Sequence, residues 1–542
     1  MLNPWKTRLI CAALVGALAI IGCFDFGTAL DDCLEGGHCK PEVPCVASNE
    51  NDQPDDDFQD TNCDQFDGIA DAGVFVDPLG GSDTGLGTAN DPLKTLSKAI
   101  EKVRTGTVPP VVYLGQGPYH EPGLVIDTPV SLYGSYARHN NRWDRDAGFI
   151  TSLEGDTVGL VIRDISADAG IVIERLTVSS VNATDAGMPS IALKIINSSG
   201  IRLRHTTLIA GQGAPGTQGA TGASGTDGGV GQAGGNAETN VASGVIALGG
   251  TSGCPGTGQA GGAGSQGTTT GSPGVMGTEG RPTATGGAGG PGGDAGVPVV
   301  IDVDTGDKRC RAGAGGMGGA GISGDPGSPG PRGEGLGMLS AETWIATQQG
   351  GAGTAGTPGS GGGGGGSGGS CPQANAVAGA ASGGSGGGGG GGCGGEGGHG
   401  GTGGGASIAA LLIRSNVQWE GTTTLKTGGG GRGGNGGEAG PGGPGGPGGS
   451  GGDGGIIQTT AYTSFGGSGG AGGPGGPGGP GGPGGGGGGG PSVGVWCADA
   501  GYSNTGTFDT QGLANGGPGG TTGTGGNPGQ PGAKAPLQDC TP

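Results

Sequence analysis

The chain has 542 residues, 151 of them Gly, with 4% aromatics and a formal net charge of −21. Glycine at about four times its usual share excludes one ordinary hydrophobic core running the whole length. The acidic balance argues against nucleic acid as a partner.

In chain order, MLNPWKTRLICAALVGALAIIGC comes first, where Lys6 and Arg8 precede a 14-residue apolar run over 9–22. That run is too short for a comfortable membrane span and suits a signal-peptide core, so 1–22 is assigned as signal peptide. Ile20-Ile21-Gly22-Cys23 resembles the bacterial lipobox, with ordinary cleavage near the same point as the alternative. The resemblance implies that Cys23 is diacylated and becomes the mature N-terminus. Phe24 stands where that family's inner-membrane retention signal places Asp. The implied location is therefore the bacterial outer membrane, lipid-anchored and surface-exposed, with the membrane as a partner. Loss of Lys6 and Arg8 takes the charge from −21 to −23.

Twelve cysteines are present. With Cys11 removed and Cys23 lipidated, the disulfide candidates are Cys33, Cys39, Cys45, Cys63, Cys254, Cys310, Cys371, Cys393, Cys497 and Cys540. An even number in an exported chain predicts up to five bridges, with the pairing left open. No compact C-x-x-C pair points to zinc.

Residues 23–72 read as an acidic, Cys-containing tether, since 24–71 hold 14 acids against Lys40 alone. Within it, DDDFQDTNCDQFDGIAD resembles the Asp-rich segments of many exported bacterial proteins. Asp60, Asn62 and Asp64 alternate as the opening ligands of a calcium loop do, with Asp67-Gly68 beyond. Calcium needs six to eight oxygens, which this set supplies in part, and no Glu occupies the twelfth position. The two readings are a calcium site at Asp60, Asn62, Asp64 and Asp67, and a disordered acidic spacer.

Order is predicted from 73 onward. VFVDPLGGSDTGLGTANDPLKTLSKAIEKV opens with a strand at Val74 and Val76. A helix follows, with Leu93, Leu96, Ala99, Ile100 and Val103 on one side. VVYLGQGPYHEPGLVI and PVSLYGSY are β-rich runs broken by Gly and Pro. Together these motifs resemble the N-terminal cap and first coil of pectate-lyase-like right-handed parallel β-helices. The resemblance covers about 65 residues. Further units begin at Leu160, Ile191 and Ile408, with Gly170 and Gly200 in equivalent places. Such units bury their apolar faces only by stacking on neighbours. The expected fold class is all-β, a parallel β-helix interrupted by Gly-rich insertions. Its cap and first coils span 73–210, another coil 406–427, and a degraded last copy 492–512.

Alternation points Ile171, Ile173, Ile201, Leu203, Val417 and Trp419 inward, with Arg202 and Gln418 outward. Glu174, Arg204 and Glu420 should then share an outward column of alternating charge. Lyases on this fold need clustered acids for calcium plus an Arg base, and hydrolases need paired carboxylates. Asp164, Asp168, Glu174 and Asp185 are isolated. Gly398-His399-Gly400 matches a polygalacturonase tripeptide without its Asp-rich companions. The column therefore reads as a structural ladder, with no catalytic residue assigned.

The insertions, 211–405 and 428–491, and the tail 513–542 are Gly-rich. From 431 to 455 the frame is G-G-X, broken only at Ala439. A three-residue frame is that of an extended helix with about 3.1 Å rise per residue. Three states use or tolerate it: a collagen-like trimer, a polyglycine-II bundle, and a disordered linker. In the bundle, bare Gly faces approach closely, Pro sits at X, and polar X residues coat the outside. The chain is similar to Gly-rich, cysteine-bearing predicted surface lipoproteins of deltaproteobacteria. The expected function is non-enzymatic display or adhesion, with an extracellular glycan or other surface as ligand. The alternative is a polysaccharide lyase or glycoside hydrolase. A third reading, ice binding by analogy with G-G-X antifreeze proteins, lacks their regular small or Thr-rich outward array.

Overall fold

The computed structural model describes residues 47–48, 51–139, 142–255, 259–269, 271–302, 307–340, 342–373, 379–460 and 462–540. It divides into two compact units, Met1–Ala70 and Asp71–Pro542. Cys23, Cys33, Cys39 and Cys45 lie outside the described residues.

The second unit is all-β apart from one described α-helix, and most of its strands fall into three long sheets. The first holds Val74–Val76, Val111–Gly115, Ser131–His139, Ser166–Glu174, Ser199–Arg204, Asn416–Glu420 and Gly501–Asn504 in that order, with Arg142–Arg145 added antiparallel to Ser131–His139. The second holds Gly117–His120, Thr151–Glu154, Leu176–Ser179, Thr207–Ala210, Thr422–Thr427 and Thr507–Asp509. The third holds Val125–Ile126, Val158–Arg163, Ser190–Ile196, Ser407–Ile413, Ser492–Ala498 and Lys534–Gln538. Neighbours along each order are parallel. From Val111 on, the chain deals its strands to the three sheets in rotation, so each sheet follows chain order.

Alternation explains the interior. Ile201 lies between Ile171 and Val417, and Leu203 between Ile173 and Trp419. All six are buried in one apolar cluster with Leu160, Leu193 and Leu412. Periodicity placed Leu160 level with Ile191; the structure pairs Leu160 with Leu193, and Ile191 with Val158. The register shifts between Ser199 and Ile201, so Ser166 and Ile171 face partners only two apart. That bulge absorbs the difference.

The corners are single left-handed residues. Asp164, Asn197, Arg414 and Asp499 have φ of 57°, 48°, 46° and 47° at successive turns from third to first sheet. Asp and Asn tolerate this region. Arg414 does not favour it, and its Nε donates to Asn197 Oδ1 at 2.7 Å. Ser198 and Ser415 follow; the Ser415 hydroxyl accepts from Ser198 N–H at 3.1 Å and donates to the Ile413 carbonyl at 2.8 Å.

The helix Leu96–Arg104 buries Leu96, Ala99, Ile100 and Val103 over the first layer. It begins later than periodicity suggested: Leu93 is buried but bridges Val76 instead of lying on the helix. Thr95 caps it, and the Glu121 carboxylate accepts from Leu96 N–H at 2.5 Å and Ser97 N–H at 2.7 Å. A carboxylate there meets two amides that have no partner within the helix.

The Gly-rich excursions depart after Ala210 and Thr427 in the second sheet and return at Ser407 and Ser492 in the third. They therefore share one corner. At their root Gly431, Gly490, Gly517 and Gly532 donate in series to Gly405, Gly431, Gly490 and Gly517, carrying the stacking past the strand ends. The 513–542 segment is more than a tail, because Lys534–Gln538 pairs with Ser492–Ala498 as a last parallel strand. The insertions also carry strands of their own. Val299–Asp302, Asp307–Arg311, Tyr462–Phe465 and Ile456–Gln458 form a separate sheet joining the two excursions, and Met338–Ser340 with Thr343–Ile345 forms a hairpin.

Candidate functional site

The predicted charge column exists in register, with Arg204 opposite both Glu174 and Glu420. Its exposure is the correction. Glu174 is fully buried, because the antiparallel strand Arg142–Arg145 brings Arg145 over it. Arg145 Nη2 lies 2.7 Å from Glu174 Oε1, and Arg204 Nη1 lies 2.9 Å from Oε2. Arg175 Nε is 3.8 Å away. Arg204 Nε also meets Glu420 at 3.2 Å. The Arg145 guanidinium lies 5.1 Å from the Tyr136 ring centroid. Burial, and then the Glu174 charge, push the neighbouring Tyr133 phenol above its ordinary value. Both oxygens of Glu174 are thus engaged by guanidinium groups, Oε1 by Arg145 and Oε2 by Arg204.

Of the other acids considered, Asp164 sits at a corner and accepts from Asn197 Nδ2 at 3.0 Å and Arg163 Nε at 2.9 Å. The Asn197 hydrogen bond, then that of Arg163, hold its carboxyl below the ordinary value. It is braced as a corner residue.

The outer face of the third sheet is apolar and covered. Ile191, Ile408, Leu411, Val493 and Trp496 pack with Trp344 from the 338–345 hairpin in a second cluster. Trp344 is 1% exposed, and its indole N–H donates to the Leu336 carbonyl at 3.2 Å. Beside it Glu342 approaches Arg163 at 3.6 Å and Arg414 at 3.8 Å. Lys194 donates to the Glu342 carbonyl at 3.3 Å, and burial lowers its ammonium pKa.

The Gly-rich segments are bonded laterally to one another, most densely at the centre. From 359 to 371 every amide donates to a neighbour, in rotation: Gly361, Gly364 and Ser367 to Arg281, Thr278 and Val275; Gly362, Gly365 and Gly368 to Gly389, Gly386 and Gly383; Gly363, Gly366 and Gly369 to Gly319, Gly316 and Gly313. A further set of segments donates to it, for example Gly287, Gly262 and Gly473 to Gly361, Gly362 and Gly363. Only backbone without Cβ can come so close: a Cβ on Gly389 would lie 1.8 Å from the Gly446 carbonyl oxygen. In the 431–455 tract the polar X residues Arg432, Glu438, Ser450 and Asp453 are exposed, as the G-G-X frame predicts, but elsewhere in the body hydroxyl side chains lie inside. Ser367, Ser370, Ser382 and Ser385 are fully buried. Their hydroxyls accept from Val275, Ser272, Thr268 and Ser265 N–H groups at 2.9, 2.9, 2.6 and 2.7 Å. A buried amide left without a carbonyl thereby keeps a partner.

One layer of this assembly is open to the outside. The 440–446 and 475–481 stretches run antiparallel, with Gly475, Gly478 and Gly481 donating to Gly446, Gly443 and Gly440. Pro441, Pro444, Pro447, Pro474, Pro477 and Pro480 are exposed along them. Their carbonyls accept from flanking segments, as in Gly225 to Pro441 and Gly321 to Pro474. At ~3.1 Å rise per residue the rings recur about every 9 Å. Such a face offers apolar ring edges.

In the first unit, Asp60 accepts from Asp64 and Gln65 N–H at 3.1 and 2.7 Å, Asn62 from Asp64 N–H at 2.9 Å, and Asp64 from Phe66 and Ala70 N–H at 3.0 and 3.1 Å. Asp67 is 6% exposed. Loop amides thus donate to Asp60, Asn62 and Asp64, three of the four residues that the alternation suggested for calcium. Among the described residues no group of three or more His, Cys, Asp or Glu could hold a metal ion. The candidate cysteines pair as Cys254–Cys393, Cys310–Cys371 and Cys497–Cys540, and Cys63 is also disulfide-bonded.

Sequence reasoning missed Arg145 and Trp344. An Arg-Trp-Asp-Arg run after the Ser131–His139 strand, and a Trp among glycines, were the available signals. Comparison with protein-family models, curated proteins and solved structures finds no match for this chain.

Proposed function

We propose that the chain is a non-enzymatic surface lipoprotein: a right-handed parallel β-helix, anchored through Cys23 behind an acidic tether, that displays a polyglycine-II bundle. The bundle's proline-lined layer is the contact face, and its ligand is an extracellular glycan or comparable neutral surface. The observation that carries this reading is the interlocking of the Gly excursions into one laterally bonded body rooted at a single corner. Glu174 supports the non-enzymatic half, since both its oxygens are held by Arg145 and Arg204.

Three measurements on cells producing the full chain test it. Mass spectrometry of the mature N-terminus should find a diacylglyceryl Cys23. Antibody raised against the purified protein should label intact cells, and those cells should adhere to polysaccharide-coated surfaces. Substituting Cys23→Ala should abolish labelling and adhesion together. Release of oligosaccharide by the purified chain, abolished by Glu174→Gln, would instead establish the lyase or hydrolase reading.

A further inference from the structure

The disulfides are distributed unevenly. No cysteine occurs in 74–210 or 406–427, which supply most of the three sheets. Cys254–Cys393 and Cys310–Cys371 both lie in the Gly-rich body and span 139 and 61 residues of sequence, while Cys497–Cys540 fastens the last strand. Cys371 ends the fully bonded 359–371 segment, where its own amide donates to the Ala380 carbonyl at 3.0 Å. Cys310 belongs to the small sheet that joins the two excursions.

The two bodies are held by different forces. The sheets enclose a continuous apolar cluster. The Gly-rich body buries few large apolar side chains, chiefly Ile457 and Tyr462 in a small cluster about Cys310 and Cys371 and Trp344 against the third sheet, and glycine loses more conformational freedom on ordering than any other residue. Cross-links that shorten the unfolded chain matter most where other stabilisation is least.

We propose that the Gly-rich body is a redox-dependent module: ordered while Cys254–Cys393 and Cys310–Cys371 are oxidised, and released as solvated chain when both are reduced, with the three sheets left intact. The co-reactant is a dithiol. Its thiolate attacks one cysteine sulfur and expels the other as thiolate. Its second thiol then closes on the mixed disulfide and frees the first cysteine. Two electrons pass to the protein pair, the two thiol protons end on the cysteines, and the reagent leaves as its cyclic disulfide. Burial sets the sequence of events. Cys254 and Cys393 are 8% and 6% exposed, whereas Cys310 and Cys371 are at 0%. The Cys254–Cys393 pair therefore opens first, and its loss admits reductant to the inner pair.

The test treats the full oxidised chain with dithiothreitol, maps free thiols over time by alkylation and mass spectrometry, and follows amide hydrogen exchange. Cys254 and Cys393 should be labelled before Cys310 and Cys371. Once both pairs are lost, amides at 359–371 and 381–393 should exchange at least about a hundredfold faster, while 191–196 and 408–413 keep their protection. The double variant Cys310→Ser/Cys371→Ser, then reduced at the remaining bundle pair, should show the same exchange pattern without the need for deep opening. Unchanged bundle protection after reduction, inner cysteines labelled first, or sheets and bundle lost in step would each overturn the proposal.

Discussion

Glu174 shows how much one residue's surroundings decide. A carboxylate at 0% exposure is tolerable only with cations and hydrogen bonds on both oxygens, which Arg145 and Arg204 supply. Glu174→Ala leaves those guanidinium groups facing each other without their anion, and should cost about 3–5 kcal/mol in a denaturant titration. Glycine makes the complementary point, since its value lies in what is absent. Gly389→Ala drives a methyl into the Gly446 carbonyl, whereas a Cβ on Gly244 meets nothing within 4 Å. The first substitution should destabilise by about 1–3 kcal/mol or more and the second should be close to neutral, read as shifts in thermal midpoint. Equal effects would mean that the segments are not in contact.

Among the elements, the strands were the most legible from sequence. Alternation in IVIE, IRLR and VQWE put the correct residues inside, because stacking needs only a period of two and β-branched side chains. The same alternation put Glu174 outside, and it is outside the three-sheet interior; what covers it is a strand whose antiparallel return at Arg142–Arg145 carries no such period. The buried serines could not be placed from sequence for a related reason. A G-G-X frame says which positions bear side chains, but not whether the neighbour on that side is solvent or another segment. The 338–345 hairpin was read as part of the Gly-rich insertion 211–405, although Trp344 is one of the largest fully buried side chains. It pins the insertion to the outer face of the third sheet, so Trp344→Ala should cost about 3–5 kcal/mol. It should also raise amide exchange at 338–345 and expose Trp496 to a fluorescence quencher. No change in quenching would remove the clamp from the account.

For the whole Asp71–Pro542 unit, two orders of packing share one corner. The sheets bury apolar side chains; the Gly-rich body has few to bury and relies on lateral backbone hydrogen bonds, each worth about 0.5–1.5 kcal/mol net. Its centre holds such bonds at every residue, and its outer segments at one or two residues in three, which is why the excursions start from a wall already built. This distinction gives the most direct test, residue-resolved amide exchange by NMR on the oxidised chain. Every amide from 359 to 371 should be slow. Along the 440–449 stretch of the proline-bearing layer only one position in three should be: Gly443, Gly446 and Gly449 donate to Cys393, Gly390 and Gly387, while Gly442, Gly445 and Gly448 make no such bond among the described residues. Slow and fast glycines alternating in that frame is the predicted result; uniformly fast exchange across both stretches would contradict it.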